Sequence, residues 1–249
     1  MMPPNCKSKI RRLAFTLVEL LVVIAIIGVL AGLLLPTLAA LKKKAQIRTA
    51  KLEMKNIEMA IQQYDNDYSR LPAPKATKDQ TFGLPPQAGA PANALPSNAD
   101  IIATLLSAPL GINQANAKNP KQTIYYKPTR TVSDLVEATN KPGSSSVCTV
   151  DYQVRDPWGS PFIISLDLDY DGMTRDAVYG LATVSATPSD PSQGLNGLVR
   201  TENKALGTIN YDLKGPIMIW SKGPDGKLDV NVKANQGVNK DNILGWTSN

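Results

Sequence analysis

An uninterrupted apolar run near the start of the chain, FTLVELLVVIAIIGVLAGLLLP, dominates its hydrophobic pattern. The run extends from Phe15 to Pro36, and Glu19 is its only ionisable side chain. At a rise of about 1.5 Å per residue, the helix before the proline is about 31 Å long, which is enough to cross the hydrocarbon core of a membrane. The pattern therefore predicts a helix that anchors the chain in a membrane.

The residues before this run predict its orientation. The leader is basic and contains Lys7, Lys9, Arg11 and Arg12. Because basic residues favour the cytoplasmic side, we expect the leader in the cytoplasm and everything after Pro36 outside, in the periplasm or at the cell exterior. A cleaved secretory signal has an apolar region of roughly 7 to 15 residues. This run is longer and continues into a polar helix, so a single-pass signal anchor fits better.

The helical pattern continues beyond Pro36 and becomes amphipathic. Apolar side chains recur at alternating steps of three and four residues, on one helix face: Ile47, Ala50, Met54, Ile57, Ile61, Tyr64 and Tyr68. Pro36 is expected to kink or loosen the helix, because proline lacks an amide hydrogen, and Leu71-Pro72 is expected to end it. The apolar stripe needs a second apolar surface to cover it.

The remaining sequence predicts loops and short strands. The predicted elements are a loop without regular structure over 72–97, a helix over 98–106, a strand or extended segment over 123–126, strands over 162–166, 178–184 and 216–221, and a polar insertion over 185–213. Residues 130–149 are ambiguous. Short strands joined by turns favour an antiparallel sheet that packs on the helix stripe, so the predicted fold class is α+β.

Composition excludes several kinds of site. The chain has no histidine, which removes Ser-His-Asp and Cys-His catalytic groups and His-ligated zinc. The net charge is +6, but four basic residues lie in the leader; the rest of the chain has 23 basic and 21 acidic residues, so no nucleic-acid partner is expected. Cys6 lies in the leader, and Cys148 is expected to be a small buried residue rather than a nucleophile.

Glu19 is the unusual residue of the apolar run, since a carboxylate near the membrane is costly and marks either an interfacial position or a function. Its surroundings resemble the signal of type IV pilins and of the pseudopilins of type II secretion. The shared features are a basic leader, a small residue at Ala14, the segment Phe15-Thr16-Leu17-Val18-Glu19-Leu20, and an apolar run ending in proline. The family prefers glycine where this chain has Ala14.

This resemblance implies a processing site and an assembly residue. In the family, a membrane peptidase, the prepilin peptidase, cleaves before the phenylalanine and methylates the new amino terminus. Cleavage is therefore expected between Ala14 and Phe15, with N-methylation of Phe15. Glu19 is expected to pair with this amine of a neighbouring subunit during filament assembly, which would offset the desolvation of both charges.

The C-terminal sequence narrows the resemblance to the major pseudopilin, the branch similar to general secretion pathway protein G. The similar segments are Asp156-Pro157-Trp158-Gly159 with Pro161, residues 220–227, and Asp241-Asn242-Ile243 with Trp246. The resemblance covers about half of the chain and implies a pilin-like fold, in which a long N-terminal helix packs on a small antiparallel sheet with loop insertions. The implied organisation is a leader over 1–14, a helix over 15–71 with its membrane or filament-core segment over 15–35, a variable region over 72–149 and a sheet region over 150–249.

The resemblance also implies a calcium site in the closing loop between Gly223 and Asp241. Its implied ligands are Asp225 and Asp241, with Asn242 as a substitute ligand, because calcium prefers hard oxygen ligands on a flexible loop. On the residues alone, Pro224-Asp225-Gly226 is equally typical of a simple β-turn. Asp229 is a further acidic residue of this loop without an assigned role.

A second acidic loop, Asp167-x-Asp169-x-Asp171-Gly172, begins like the calcium loop of an EF-hand. Val178 occupies the twelfth position, where an EF-hand has a glutamate, and Asp176 is a partial substitute. A solvated hairpin turn is the alternative. Trp158, Trp220 and Trp246 are expected to pack in the core; a carbohydrate or nucleic-acid stacking surface is the alternative.

Together these features predict a structural subunit without enzymatic activity. The expected function is that of a pseudopilin that polymerises through its N-terminal helix into a periplasmic filament of a type II secretion system. Expected partners are further copies of the chain, other pseudopilins, the prepilin peptidase and the secretion platform of the inner membrane, with calcium as the cofactor. The first alternative is a type IV pilin of a surface fibre for adhesion, motility or DNA uptake. The second is a membrane-anchored enzyme that uses carboxylate chemistry, which the absence of histidine disfavours.

Overall fold

A computed structural model describes residues 16–84, 96–140, 143–187, 190, 192–203 and 207–247. The chain divides into two compact units, residues 1–44 and 45–249. The first helix, α1, extends from Leu17 to Tyr68 and contributes to both units. It continues through Pro36 and ends three residues before the predicted end, where Ser69 adopts a positive φ of 49°.

The other elements belong to the second unit. They are β1 (Gln80–Phe82), α2 (Ala99–Leu105), β2 (Thr131–Val132), α3 (Leu135–Asn140), β3 (Ser146–Cys148), β4 (Val154–Arg155), β5 (Ile163–Leu166), β6 (Met173–Thr174), α4 (Ala182–Ser185), β7 (Val199–Asn203), β8 (Thr208–Lys214), β9 (Ile217–Ser221) and β10 (Ile243–Leu244), with 3-10 segments at Gly111–Asn116, Leu195–Gly197 and Gly237–Asn239.

The central sheet has four antiparallel strands in the order β1-β5-β9-β10. One face packs on the second half of α1, as the helix stripe predicts. Ile164 and Ile219 from the sheet join Met54, Ile57 and Ile61 from the helix in one buried cluster. The antiparallel sheet and its position on the stripe confirm the α+β, pilin-like fold class.

The opposite face of the sheet is also covered. Ile163, Met218 and Trp220 alternate with the helix-facing residues along β5 and β9, and they form a second buried cluster. Most of its other members come from residues 178–213, including Tyr179 and Tyr211, and the rest are Leu84, Ala234 and Leu244. Strands β7 and β8 pair with each other here, and β8 also pairs with β6. The region predicted to be a polar insertion is therefore a second layer that buries apolar side chains.

Several local predictions were wrong. Residues 178–184 form a turn and the start of α4 rather than a strand, because the Asp176 carboxylate accepts the amide hydrogens of Val178 and Tyr179 and turns the chain. The predicted loop over 72–97 contains β1, which pairs with β5 at the edge of the sheet. Residues 123–126, predicted as a strand or extended segment, form no strand; the amides of Tyr125 and Tyr126 instead donate to the Leu105 carbonyl.

Candidate assembly segment and cation-binding loops

The helix in the first unit exposes a continuous apolar surface. From Leu17 to Leu41 its large apolar side chains are mostly exposed, as in Leu17 (78%) and Leu35 (67%). In the described part of the chain, this is the one helix long and apolar enough to cross a membrane. Such a surface needs lipid or the matching helices of other subunits to cover it.

Glu19 closes a capping box at the start of this helix. Its Oε2 atom accepts hydrogen bonds from the backbone N–H and the hydroxyl of Thr16, both at 2.8 Å. The Thr16 hydroxyl in turn accepts the Glu19 N–H at 3.2 Å. This reciprocal pattern satisfies amides that the first helical turn leaves without partners. Thr16 directly follows Phe15 in the sequence; Ala14 and Phe15 lie outside the described residues.

The closing loop brings the turn at Gly223 against the backbone of Asp241. Gly223 has a φ of 69°, and a Cβ atom added to it would lie 2.0 Å from the Asp241 carbonyl oxygen, so only glycine permits this approach. The Asp225 carboxylate accepts the Lys227 amide hydrogen at 2.8 Å, which is the turn geometry expected from the sequence. The Asp229 carboxylate accepts the Asn231 amide hydrogen in the same way.

Asn242 connects this loop to the outer layer. Its Nδ2 donates to the Tyr179 hydroxyl at 3.0 Å. Its Oδ1 is buried and has no hydrogen-bond donor within the described residues. A buried amide oxygen without a donor costs about 1 to 3 kcal/mol, and a cation is one group that would satisfy it. Asn242 Oδ1 is therefore a candidate ligand atom for a hard cation such as calcium, while the Asp225 carboxylate is engaged in its own turn.

In the second acidic loop, the carboxylates that lie together are not the three that the sequence pattern predicts. Carboxylate oxygens of Asp79, Asp167 and Asp169 all lie within 4.8 Å of one another. Asp171 is not in this group; it is exposed, and its carboxylate accepts the Met173 amide hydrogen. Asp167 is buried and accepts the amide hydrogens of Asp171 and Gly172. The tertiary structure thus replaces the third predicted residue by Asp79, which precedes β1.

Burial and charge repulsion raise the pKa values of two carboxyl groups in this cluster, Asp79 and Asp167. Burial, together with the neighbouring charges of Asp169 and Asp167, raises the pKa of Asp79 to about 6. Burial and the carboxylate of Asp169 also raise the pKa of Asp167. Three carboxylates at this spacing therefore carry less than their full negative charge under mildly acidic conditions.

Both carboxylate oxygens of Asp176 accept hydrogen bonds from neighbouring groups of the protein. Its Oδ2 accepts hydrogen bonds from the Ser165 hydroxyl at 2.6 Å and from Trp220 Nε1 at 3.0 Å. Its Oδ1 accepts the two backbone amides of the following turn. All of these partners lie in the buried interior, and both carboxylate oxygens of Asp176 are occupied by protein donors.

The remaining sequence candidates are part of the core, as predicted. Trp220 is fully buried, while Trp158 and Trp246 are partly buried and pack against the two clusters on either side of the sheet. Cys148 is buried, with no exposed surface.

The N-terminal segment of the chain matches a known protein-family model. Residues 10–35 match the family model described as the prokaryotic N-terminal methylation motif. The predicted resemblance to pilins and pseudopilins is confirmed. The methylation motif covers Ala14, Phe15 and Glu19, and with the long apolar helix it fits a single-pass membrane-anchored protein.

Beyond the methylation motif, the chain is similar to several proteins named Type II secretion system core protein G. It is 36% identical to the one from Aeromonas hydrophila over 84 residues, 34% of this chain and 59% of the relative. It is 40% identical to the one from Pectobacterium carotovorum subsp. carotovorum over 67 residues, 27% of this chain and 43% of the relative. The chain thus spans about half the length of the curated relatives it matches. No solved structure matches it.

Two residues of these loops escaped the sequence reasoning. Asp79 lies in a polar stretch far from the acidic loop, and only the pairing of β1 with β5 brings it there. Tyr179 belongs to a segment interpreted as a strand, so its contact with Asn242 had no signal in the local pattern. Both contacts depend on long-range pairing, which hydrophobic periodicity does not encode.

Proposed function

We propose that this chain is a pseudopilin, a structural subunit of a type II protein secretion system rather than an enzyme. The observation that most directly supports this proposal is the exposed apolar helix with Glu19 at its start, inside a prokaryotic N-terminal methylation motif. Its relatives named Type II secretion system core protein G support the choice of system. The chain is anchored in the inner membrane with the second unit in the periplasm.

Assembly follows from the physical chemistry of this segment. Before assembly, lipid covers the apolar helix. After the prepilin peptidase cleaves between Ala14 and Phe15, the new amine lies one residue from the Thr16–Glu19 capping box. In the filament, apolar helices of neighbouring copies replace the lipid, and the Glu19 carboxylate pairs with a neighbour's Phe15 amine. This charge pair sets the register of otherwise featureless apolar helices.

The test compares Glu19→Ala with Thr16→Val. Glu19→Ala is expected to be cleaved and inserted normally but to lose filament assembly, because its neighbour's amine stays uncompensated. Thr16→Val removes the side-chain hydrogen bonds of the cap but keeps the carboxylate, so it should still assemble. Sheared filaments are quantified by immunoblotting beside the cleaved membrane pool. Normal filaments from Glu19→Ala would contradict the proposal, and equal loss in both variants would assign Glu19 to helix capping alone.

A type IV pilin of a surface fibre shares the same N-terminal segment. Fibre-forming pilins often close their C-terminal loop with a disulfide, and after removal of the leader only Cys148 remains in this chain. Deletion of the gene in its host separates the two functions. Loss of protein secretion with unchanged surface fibres supports the pseudopilin, and the reverse supports the pilin.

We further propose that calcium stabilises the closing loop through Asp225, Asp241 and Asn242. A cation bound there would hold the Asp225 turn against the last strand, and the buried Asn242 Oδ1 supports this placement. A ligand at a hundred times its dissociation constant adds about 2.7 kcal/mol to the unfolding free energy. The full chain in detergent should therefore melt at a higher temperature in calcium than in chelator.

Two variants locate the calcium effect. Asp225→Ala should abolish the calcium-dependent rise in melting temperature, whereas Asp169→Ala, in the other acidic loop, should retain it. If only Asp169→Ala removes the rise, the cation binds at the cluster of Asp79, Asp167 and Asp169 instead. No rise in the wild-type protein would contradict calcium binding by either loop.

A further inference from the structure

A basic cavity lies beyond the C-terminal end of α1. It has a volume of about 790 Å³ and is bounded by residues 69–71 and 73–77, Lys118 and residues 168–170. Three cationic side chains, Arg70, Lys75 and Lys118, line it together with one carboxylate, Asp169. Within the described part of the chain, none of these three cations forms a salt bridge. With three cations against one carboxylate, the lining residues carry a net positive charge of two.

Arg70 is fixed in place at the edge of this cavity. One terminal nitrogen of its guanidinium donates to the Lys118 carbonyl at 3.0 Å. The guanidinium carbon also lies 5.6 Å from the centre of the Tyr68 ring, in the range of a cation–π contact. A guanidinium held in this way loses little conformational entropy when it binds an anion, which favours binding.

Lys118 adds a second cation close to Arg70. Burial and the charge of Arg70 both lower the pKa of the Lys118 ammonium, so the two positive charges repel each other across the cavity. An anion between them would relieve this repulsion and would be attracted by both. Lys75, which is exposed, adds a third cation at the rim.

Part of the cavity wall is apolar and aromatic. Leu71, Ala73 and Leu168 are buried beneath it, while the Tyr170 side chain remains 59% exposed at its rim. The Tyr170 oxygen accepts the Leu71 amide hydrogen at 3.1 Å, so its own hydroxyl hydrogen is available to a ligand. A small inorganic anion would leave this apolar wall uncovered, whereas a peptide with acidic and apolar side chains would contact both parts.

We propose that the basic cavity docks an extended polypeptide segment of a partner protein in which acidic residues alternate with apolar ones. Its carboxylates contact Arg70 and Lys118, and an apolar side chain packs against Tyr170. The charge complementarity selects the acidic residues, and the exposed ring selects their apolar neighbours. Nothing in this site overlaps the apolar helix or the closing loop, so docking is separable from filament assembly.

The test uses the full chain in detergent and a fluorescein-labelled hexapeptide of alternating glutamate and leucine. Fluorescence anisotropy should show saturable binding. A glutamine–leucine peptide should bind at least about tenfold more weakly, because it lacks the charges. A glutamate–serine peptide should also bind more weakly. Equal binding of all three peptides, or no saturable binding of the first, overturns the proposal.

Matched variants assign binding to the cavity. Arg70→Gln with Lys118→Gln should weaken binding about tenfold, whereas Lys214→Gln with Lys240→Gln, two exposed lysines elsewhere, should not. Both double variants remove two positive charges. Equal weakening of peptide binding would therefore show that binding depends on overall charge alone, and it would contradict the proposed site. If the Arg70 double fails to fold, Lys75→Glu with Lys118→Glu decides instead. Displacement of the peptide by equimolar inorganic phosphate would also overturn the proposal, because it would indicate a simple anion site.

Discussion

A single carboxylate, Asp176, joins the central sheet to the layer that covers its outer face. It is 1% exposed and accepts four hydrogen bonds, from two backbone amides, the Ser165 hydroxyl and the Trp220 indole. A buried carboxylate is costly without partners, and these four donors offset that cost. The residue thus stabilises the two layers through its capacity as a hydrogen-bond acceptor.

Asp176→Asn is expected to lower the unfolding free energy by about 3 kcal/mol, because an amide nitrogen cannot accept the hydrogen bonds of Ser165 and Trp220. Urea unfolding of the full chain in detergent, followed by tryptophan fluorescence, measures this change. Asp134→Asn is the control, since Asp134 is exposed and its carboxylate accepts one backbone amide. A change below about 1 kcal/mol for Asp176→Asn would show that Asp176 does not hold the two layers together.

At the scale of the elements, the second half of α1 is the support of the second unit. Its buried face packs on the sheet through Ile57 and its neighbours. Glu53, on the same face, is buried and accepts hydrogen bonds from the hydroxyls of Tyr126 and Thr129. Burial and the Glu53 charge raise the pKa of the Tyr126 hydroxyl, which keeps it protonated as a donor. Both apolar packing and polar contacts therefore fix this helix to the loops around it.

Ile57→Ala is expected to destabilise the protein by about 2 to 5 kcal/mol, because it leaves a cavity between α1 and the sheet. Leu52→Ala is the matched control on the same helix. Leu52 is 67% exposed, whereas Ile57 has no exposed surface. Leu52→Ala should therefore change the unfolding free energy by no more than about 0.5 kcal/mol. Chemical denaturation measures both variants. Equal effects would show that the helix does not present the described face to the sheet.

At the scale of the whole molecule, anchoring and folding depend on different parts of the chain. The apolar surface of residues 17–41 has no role in the buried clusters, which begin at Ala50. The membrane-anchoring property can therefore change without loss of the second unit's core. This separation is consistent with the proposed function, in which the subunit leaves a membrane to enter a filament.

Ile26→Lys, in the middle of the apolar run, is expected to reduce membrane insertion, because a lysine at the centre of a spanning helix costs about 2.5 to 3.5 kcal/mol. The protein should shift from the carbonate-resistant membrane fraction to the soluble or degraded fraction. Leu52→Lys introduces the same side chain at an exposed position outside the run and should remain in the membrane fraction. Full retention of Ile26→Lys would contradict a spanning helix.

The sequence by itself determined the features that depend on local pattern. The apolar run, the stripe on α1, strands β5 and β9 and the methylation motif all follow from neighbouring residues, because periodicity and length act over one element. The closing-loop turn at Asp225 was also readable, since proline, aspartate and glycine specify it locally. These features were enough to indicate the fold class and the proposed function.

Only the tertiary structure decided which distant residues meet. The pairing of β1 with β5 places Asp79 beside Asp167 and Asp169, and the outer layer places Tyr179 against Asn242. The basic cavity likewise joins Arg70 to Lys118, which β1 and α2 separate in the sequence. Such contacts arise from chain closure and from burial on both faces of the sheet. No local pattern of hydrophobic and polar residues specifies them, because strand partners are selected by the whole fold.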